Sequence, residues 1–155
     1  MGESAPPGGK LVGMNHIALE VGDIETALEW YRSLFDFDLR SRSETKAFID
    51  MGDQFIALAS TDGASDEIDD ARHVGLVVVD AETVAERIAR HDVEELSVPG
   101  LEVRDPWGNR LQIVEYGEIQ FTKADHVLTG MGLSSLSKTD EAIEELSAKG
   151  MAPPE

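Results

Sequence analysis

Apolar and polar residues alternate over Met14–Val21, with Ile17, Leu19 and Val21 on one face and His16, Ala18 and Glu20 on the other. That period predicts a half-buried strand. The period then lengthens: Ile24, Ala27, Leu28, Tyr31 and Leu34/Phe35 recur at helical spacing. Ile24–Phe35 is therefore predicted as an amphipathic helix whose stripe packs on the strand's apolar face. Asp23 stands where a carboxylate accepts from the free N–H groups of a first helical turn. Strands follow near Asp38–Ser43 and Lys46–Met51 around a turn at Ser43–Thr45. The Gly52-Asp53 turn then leads to a fourth strand, Gln54–Ser60.

The same pattern returns. NHIALEVGD (15–23) lies over RHVGLVVVD (72–80), matching His16 with His73, Leu19 with Leu76, Val21 with Val78 and Asp23 with Asp80 at an offset of 57 residues. At that offset Glu25, Thr26 and Glu29 meet Glu82, Thr83 and Glu86. MGDQFIALA (51–59) lies over WGNRLQIVE (107–115) at an offset of 56, pairing Gly52 with Gly108. A match held through strand, cap, helix and glycine turn marks an internal repeat, and the repeat decides the fold class: α+β, two tandem βαβββ modules. The second copy runs through a strand at His73–Val79, a helix at Ala81–Arg90 capped by Asp80, and short strands near Glu94–Val98 and Leu101–Arg104. The turn Asp105–Asn109 has Pro and Gly where turn dihedrals call for them, and the last strand is Arg110–Tyr116.

The chain divides accordingly into a Pro- and Gly-rich leader without periodicity (1–12), a first module (13–60), a polar acidic linker (61–71), a second module (72–117) and a tail (118–155), all in one domain. The tail has no counterpart in the first copy. It holds a Gly- and Ser-rich loop, Thr129–Ser137, and a C-terminal helix, Asp140–Lys149, capped by Thr139 and stopped by Gly150.

Composition narrows the function. No apolar run is long enough to span a bilayer and the N-terminus has no signal-type apolar segment, so a soluble cytoplasmic protein is expected. Cysteine is absent, which removes disulfides, thiolate nucleophiles and thiolate metal ligands. Against 13 basic residues stand 31 acidic ones, a net charge of −18, and such a surface disfavours nucleic acid and anionic membranes. The acids are spread along the whole chain, which suits a solvated surface in a high-salt, halophilic cytoplasm.

Strand parity places His16 beside Ala18 and His73 beside Gly75, in each case opposite the strand's apolar face, with small neighbours that leave room for a cavity. In the closing strand Leu111, Ile113 and Glu115 share a face. A pseudo-two-fold between the copies would bring the histidines together. Two neutral imidazoles and a carboxylate form a competent shell for Fe, Mn, Zn or Ni with positions left open to a substrate. His16, His73 and Glu115 are thus the candidate metal ligands; no catalytic or substrate-binding residue can be named. His91 ends a helix, where a cation favours the dipole, and is expected to be structural. His126 and Lys123 are expected at the surface.

The stretches MNHIALEVGDIETALEWYRSLF, RHVGLVVVDAETVAERI and DPWGNRLQIVEY resemble the vicinal oxygen chelate superfamily, which includes glyoxalase I, bleomycin-resistance proteins, extradiol dioxygenases and fosfomycin-resistance transferases. The resemblance spans about Met14–Tyr116. It implies sheets curled into a mixed-sheet cup with helices outside, around a divalent ion held by residues of the first and last strands of each module. His16, His73 and Glu115 match three such positions. The fourth falls at Ala59, which cannot bind metal, and Glu20 lies about 13 Å along the strand from His16. A three-ligand pattern resembles the dioxygenases and fosfomycin enzymes more than glyoxalase I. The resemblance thus implies a metal-dependent enzyme, commonly a homodimer, acting on a small oxygen-bearing substrate; the alternative is a metal-free ligand-binding protein of the bleomycin-resistance type.

Overall fold

A computed structural model describes residues 9–64 and 71–154. The expected leader falls mostly outside these residues, as does the linker over 65–70. The first module contains β1 (His16–Val21), α1 (Ile24–Leu34), β2 (Asp38–Arg42), β3 (Lys46–Asp50) and β4 (Phe55–Ser60). The second contains β5 (Val74–Val78), α2 (Ala81–Arg90), β6 (Glu94–Glu95), β7 (Leu101–Arg104) and β8 (Arg110–Glu115). Each module folds into a four-stranded mixed sheet, ordered β1-β4-β3-β2 and β5-β8-β7-β6. In both, the first strand runs parallel to the last, and the remaining pairs are antiparallel. This is the α+β, duplicated βαβββ architecture expected from the repeat.

The helices begin where the sequence places them. Asp23 accepts from the Thr26 N–H at 2.8 Å, and Asp80 accepts from Glu82 and Thr83. The Thr26 amide and hydroxyl hold the Asp23 carboxyl below its ordinary pKa. The apolar stripe of α1 is buried throughout, at Ile24, Ala27, Leu28, Tyr31 and Leu34, against Leu19, Val21 and Leu58 of its own sheet. The cluster continues through Val84 and Ile88 of α2 to Leu111 and Ile113 of β8, so one core serves both modules.

Polar contacts join the modules around that core. Arg87 of α2 donates to Asp36 at 3.0 Å and to the Leu34 carbonyl at the end of α1. Tyr31 of α1 donates to Asp105 in the turn before β8. From the same turn, Asn109 donates to the Glu20 carbonyl at 2.8 Å, and Trp107 packs on Gly22, where a Cβ would collide with its indole nitrogen. The turn that sequence marks only as a hairpin is a clasp between the two copies.

Two regions differ from expectation. β6 is two residues long: Leu96 still donates to the Glu102 carbonyl of β7, and the chain then turns away, with the Val98 N–H donating to the Leu96 carbonyl. In the tail, a 3-10 turn (Tyr116–Glu118) and α3 (Asp125–Gly130) precede the expected helix, α4 (Asp140–Ala148). α3 lacks a side-chain cap and a long apolar stripe, which is why periodicity did not reveal it. α4 is capped by Thr139 onto the Ala142 N–H and ends before Gly150, whose φ of +73° suits glycine.

Candidate functional site

A cleft of about 700 Å³ runs along β5 between the modules. Its walls are the starts of β1 and β4, the end of α1, the first turns of α2, and the tail from Tyr116 to Leu136. Apolar side chains dominate it, among them Ile17, Phe55, Val77, Val114 and Met131, and both His16 and His73 line it. The size and apolar character are those of a small-molecule site.

His16 opens β1 and lies flat on Phe55, its register partner, with ring centroids 4.7 Å apart and planes within 8°. Phe48 meets Phe55 edge-on, and the Arg40 guanidinium sits over the same ring at 4.6 Å. His16 Nδ1 is 2.7 Å from Asn15 Oδ1, and His73 Nδ1 is 3.0 Å from the Ala71 carbonyl oxygen. A carbonyl can only accept, so a neutral His73 ring carries its hydrogen on Nδ1 and keeps Nε2 as an acceptor.

Glu115 lies elsewhere. In β8, Leu111 and Ile113 are buried toward α2, and Glu115 shares their face; its register partner is Val78. Its carboxylate accepts from the Ala81 N–H at 3.0 Å, at the first residue of α2. Gly75, Val77, Gln112 and Val114 form the opposite face, with which His73 is in parity. By this parity His73 and Glu115 fall on opposite faces of the second sheet, and His16 stands in the first sheet. Among the described residues no three of His, Asp or Glu come together as metal ligands would. The expected fourth position also moves. Val21 pairs with Ser60 as Val78 pairs with Glu115, so Ser60, not Ala59, is the counterpart of Glu115. Ser60 likewise bonds the strand–helix junction, donating to the Gly22 carbonyl at 3.2 Å. Both imidazoles line the cleft, and among the described residues no third His, Asp or Glu stands with them as a metal ligand would.

Lys123, expected at the surface, lines the cleft instead. Its ammonium pairs with Asp53 of the β3–β4 turn and holds that carboxyl below its ordinary pKa. Met131 of the tail packs on Gly52 in the same turn. Lys138 ties the tail to itself, donating to the carbonyls of Tyr116, Ile119 and Phe121 and lying 3.6 Å from the centre of the Tyr116 ring. Lys123 and Met131 thus fasten the tail to the β3–β4 turn beside the cleft. No period or motif announces that role. His91 and His126 are exposed, His91 as the C-cap of α2.

The sequence profile described as Glyoxalase/Bleomycin resistance protein/Dioxygenase superfamily matches residues 13–113. Solved structures share the fold at low identity. The fosfomycin resistance protein FosX of Listeria monocytogenes is 17% identical with a TM-score of 0.55, covering 68% of this chain and 94% of its own. FosX of Mesorhizobium loti is 18% identical with a TM-score of 0.55, covering 67% and 92%. Lactoylglutathione lyase of Agrobacterium tumefaciens is 18% identical with a TM-score of 0.54, covering 69% and 96%. No curated protein matches the chain in sequence.

Proposed function

This chain belongs to the Glyoxalase/Bleomycin resistance protein/Dioxygenase superfamily, and from that premise we propose that it binds a small, largely apolar, oxygen-bearing molecule in the cleft along β5. The single observation that carries the reading is the apolar cleft between the modules with both repeat-equivalent histidines on its wall. Apolar burial supplies the affinity, and Nε2 of His73 accepts a hydrogen bond from a hydroxyl or amide of the ligand. The stacked pair of His16 and Phe55 offers a flat surface for a ring or a conjugated carbonyl. This is the ligand-binding alternative of the sequence, with Glu115 released from the site to anchor α2.

The metal-dependent enzyme keeps one supporting observation: engaging Nδ1 of each histidine is how proteins fix an imidazole as an Nε2 ligand. An Fe, Mn, Zn or Ni ion would need its anionic ligand from elsewhere than Glu115. A homodimer is part of the same proposal. β1 and β5 are open sheet edges, and Leu11, Val12 and Met14 next to β1 are more than 70% exposed, at 92%, 95% and 74%.

The test uses anilinonaphthalene sulfonate, a fluorescent probe of apolar surface. Saturable binding at about one site per chain, weakened at least tenfold by Val77→Trp, which fills the cleft, supports the reading. Binding that fails to saturate, or is indifferent to Val77→Trp in a protein with an unchanged melting curve, overturns it.

A further inference from the structure

We infer that Gln112 is the β8 residue that shares the face of His73, and that it makes this face a hydrogen-bonding site for a neutral polar group of the ligand, not a seat for a divalent ion. The inference rests on the reading that the ligand lies against His73. Leu111, at 0% exposure, and Ile113, at 4%, fix the buried side of β8, so Gln112 between them faces away from α2. Its neighbours in the row are Gly75 of β5 and Glu102 of β7. Gly75 has no side chain, and nothing stands within 4 Å of where one would begin, so the position next to Gln112 in the row is open. Gly75, Val77 and Val114 of the same face line the cleft, so Gln112 stands beside its wall.

The charges of this row oppose a cation. Gln112 presents one carbonyl and one amino group and no charge. Glu102 is the carboxylate next to it, and its Oε2 already accepts from Arg110 Nε at 2.6 Å, with both side chains largely buried. Withdrawing that carboxylate to a metal would break its ion pair with Arg110, and the guanidinium charge would repel the ion. A neutral amide oxygen is in addition a poor ligand for Fe, Zn or Ni beside imidazole. The same groups suit a carbonyl, amide or hydroxyl: the Gln112 amino group donates, and its oxygen and the His73 Nε2 accept.

Equilibrium dialysis against Ni(II), Mn(II) and Zn(II), each alone, followed by elemental analysis, tests this. Wild-type protein is expected to retain far less than one ion per chain. Gln112→Glu is expected to retain about one, lost again when His73→Ala is added. Retention of about one ion by the wild type, removed by His73→Ala, overturns the inference. So does a folded Gln112→Glu protein that gains nothing; should that variant not fold, the wild-type result decides alone. Naphthalene-probe binding on the same samples reads the cleft separately. Its absence from a metal-free wild type sinks the proposed function and not the assignment of Gln112, whereas its presence beside a bound ion does the reverse.

Discussion

Tyr31 donates its phenolic hydrogen to Asp105 across 2.9 Å, and this buried bond joins the helix of the first module to the closing turn of the second, 74 residues on. Asp105 also accepts from the backbone N–H groups of Trp107 and Asn109 and from the Asn109 side chain. The turn is thus rigid before it meets α1, and the module contact is set by hydrogen bonds as well as by the core.

Removing that donor should destabilise the whole protein. Tyr31→Phe leaves a buried carboxylate one hydrogen bond short, at a cost of about 1–2 kcal/mol and a drop in Tm of about 2–8 °C. Burial first, and then the Asp105 charge, push the Tyr31 hydroxyl well above its usual pKa. The folded state therefore holds its proton more tightly than the unfolded chain. This stabilisation is complete below the ordinary tyrosine value of 10 and is lost as pH rises past it toward the folded value. Urea titrations at pH 7 and pH 10.5 should show a fall in wild-type stability that Tyr31→Phe reduces.

Gly22→Ala should loosen the same contact from the other side. The new methyl would collide with the Trp107 indole nitrogen, and β1 and the turn cannot both stay in place. A cost of about 1–3 kcal/mol is expected, together with a red shift of tryptophan emission as Trp107 meets water. An unchanged Tm would show that the clasp yields freely.

Glu115→Ala should act on stability and not on the ligand. Losing the acceptor of the Ala81 N–H should lower stability by about 1 kcal/mol, while naphthalene-probe binding stays within twofold of wild type. A tenfold loss of probe binding with unchanged Tm would return Glu115 to the site.

Asp53→Asn should free the tail. The Asp53 carboxyl is held below its ordinary pKa by the Lys123 ammonium, so the charged form is favoured in the fold. The stabilisation is present above the ordinary carboxylate value of 3.8 and disappears as pH falls through the lower folded one. Amide exchange over residues 121–131 should quicken in Asp53→Asn at pH 7, and in the wild type only on acidification, with the exchange of β4 and β8 unaffected.

Salt should stabilise the protein. A net charge of −18 repels itself, and screening lengths fall from about 10 Å at 0.1 M to about 3 Å at 1 M. Thermal melts between 0.1 and 2 M KCl should show a rising Tm.

What the sequence determined by itself is everything that repeats or alternates. The duplication, the order of elements within each module, the caps at Asp23, Asp80 and Thr139, and the buried stripe of α1 follow from periodicity and local hydrogen bonding, which act within a few residues. The parity of β8 was legible too: Leu111 and Ile113 are its apolar positions, so Glu115 belongs with them and Gln112 does not. The tertiary structure decided the rest. Only packing across sequence distances of 70 to 89 residues makes Asp105 the acceptor of Tyr31, Asn109 the donor to Glu20 and Asp53 the partner of Lys123. No periodic pattern encodes those pairs, because each is chosen by where two rigid modules and a tail come to rest. The side of the sheet that Glu115 faces was decided in the same way, by the first turn of α2 coming close enough to take its carboxylate.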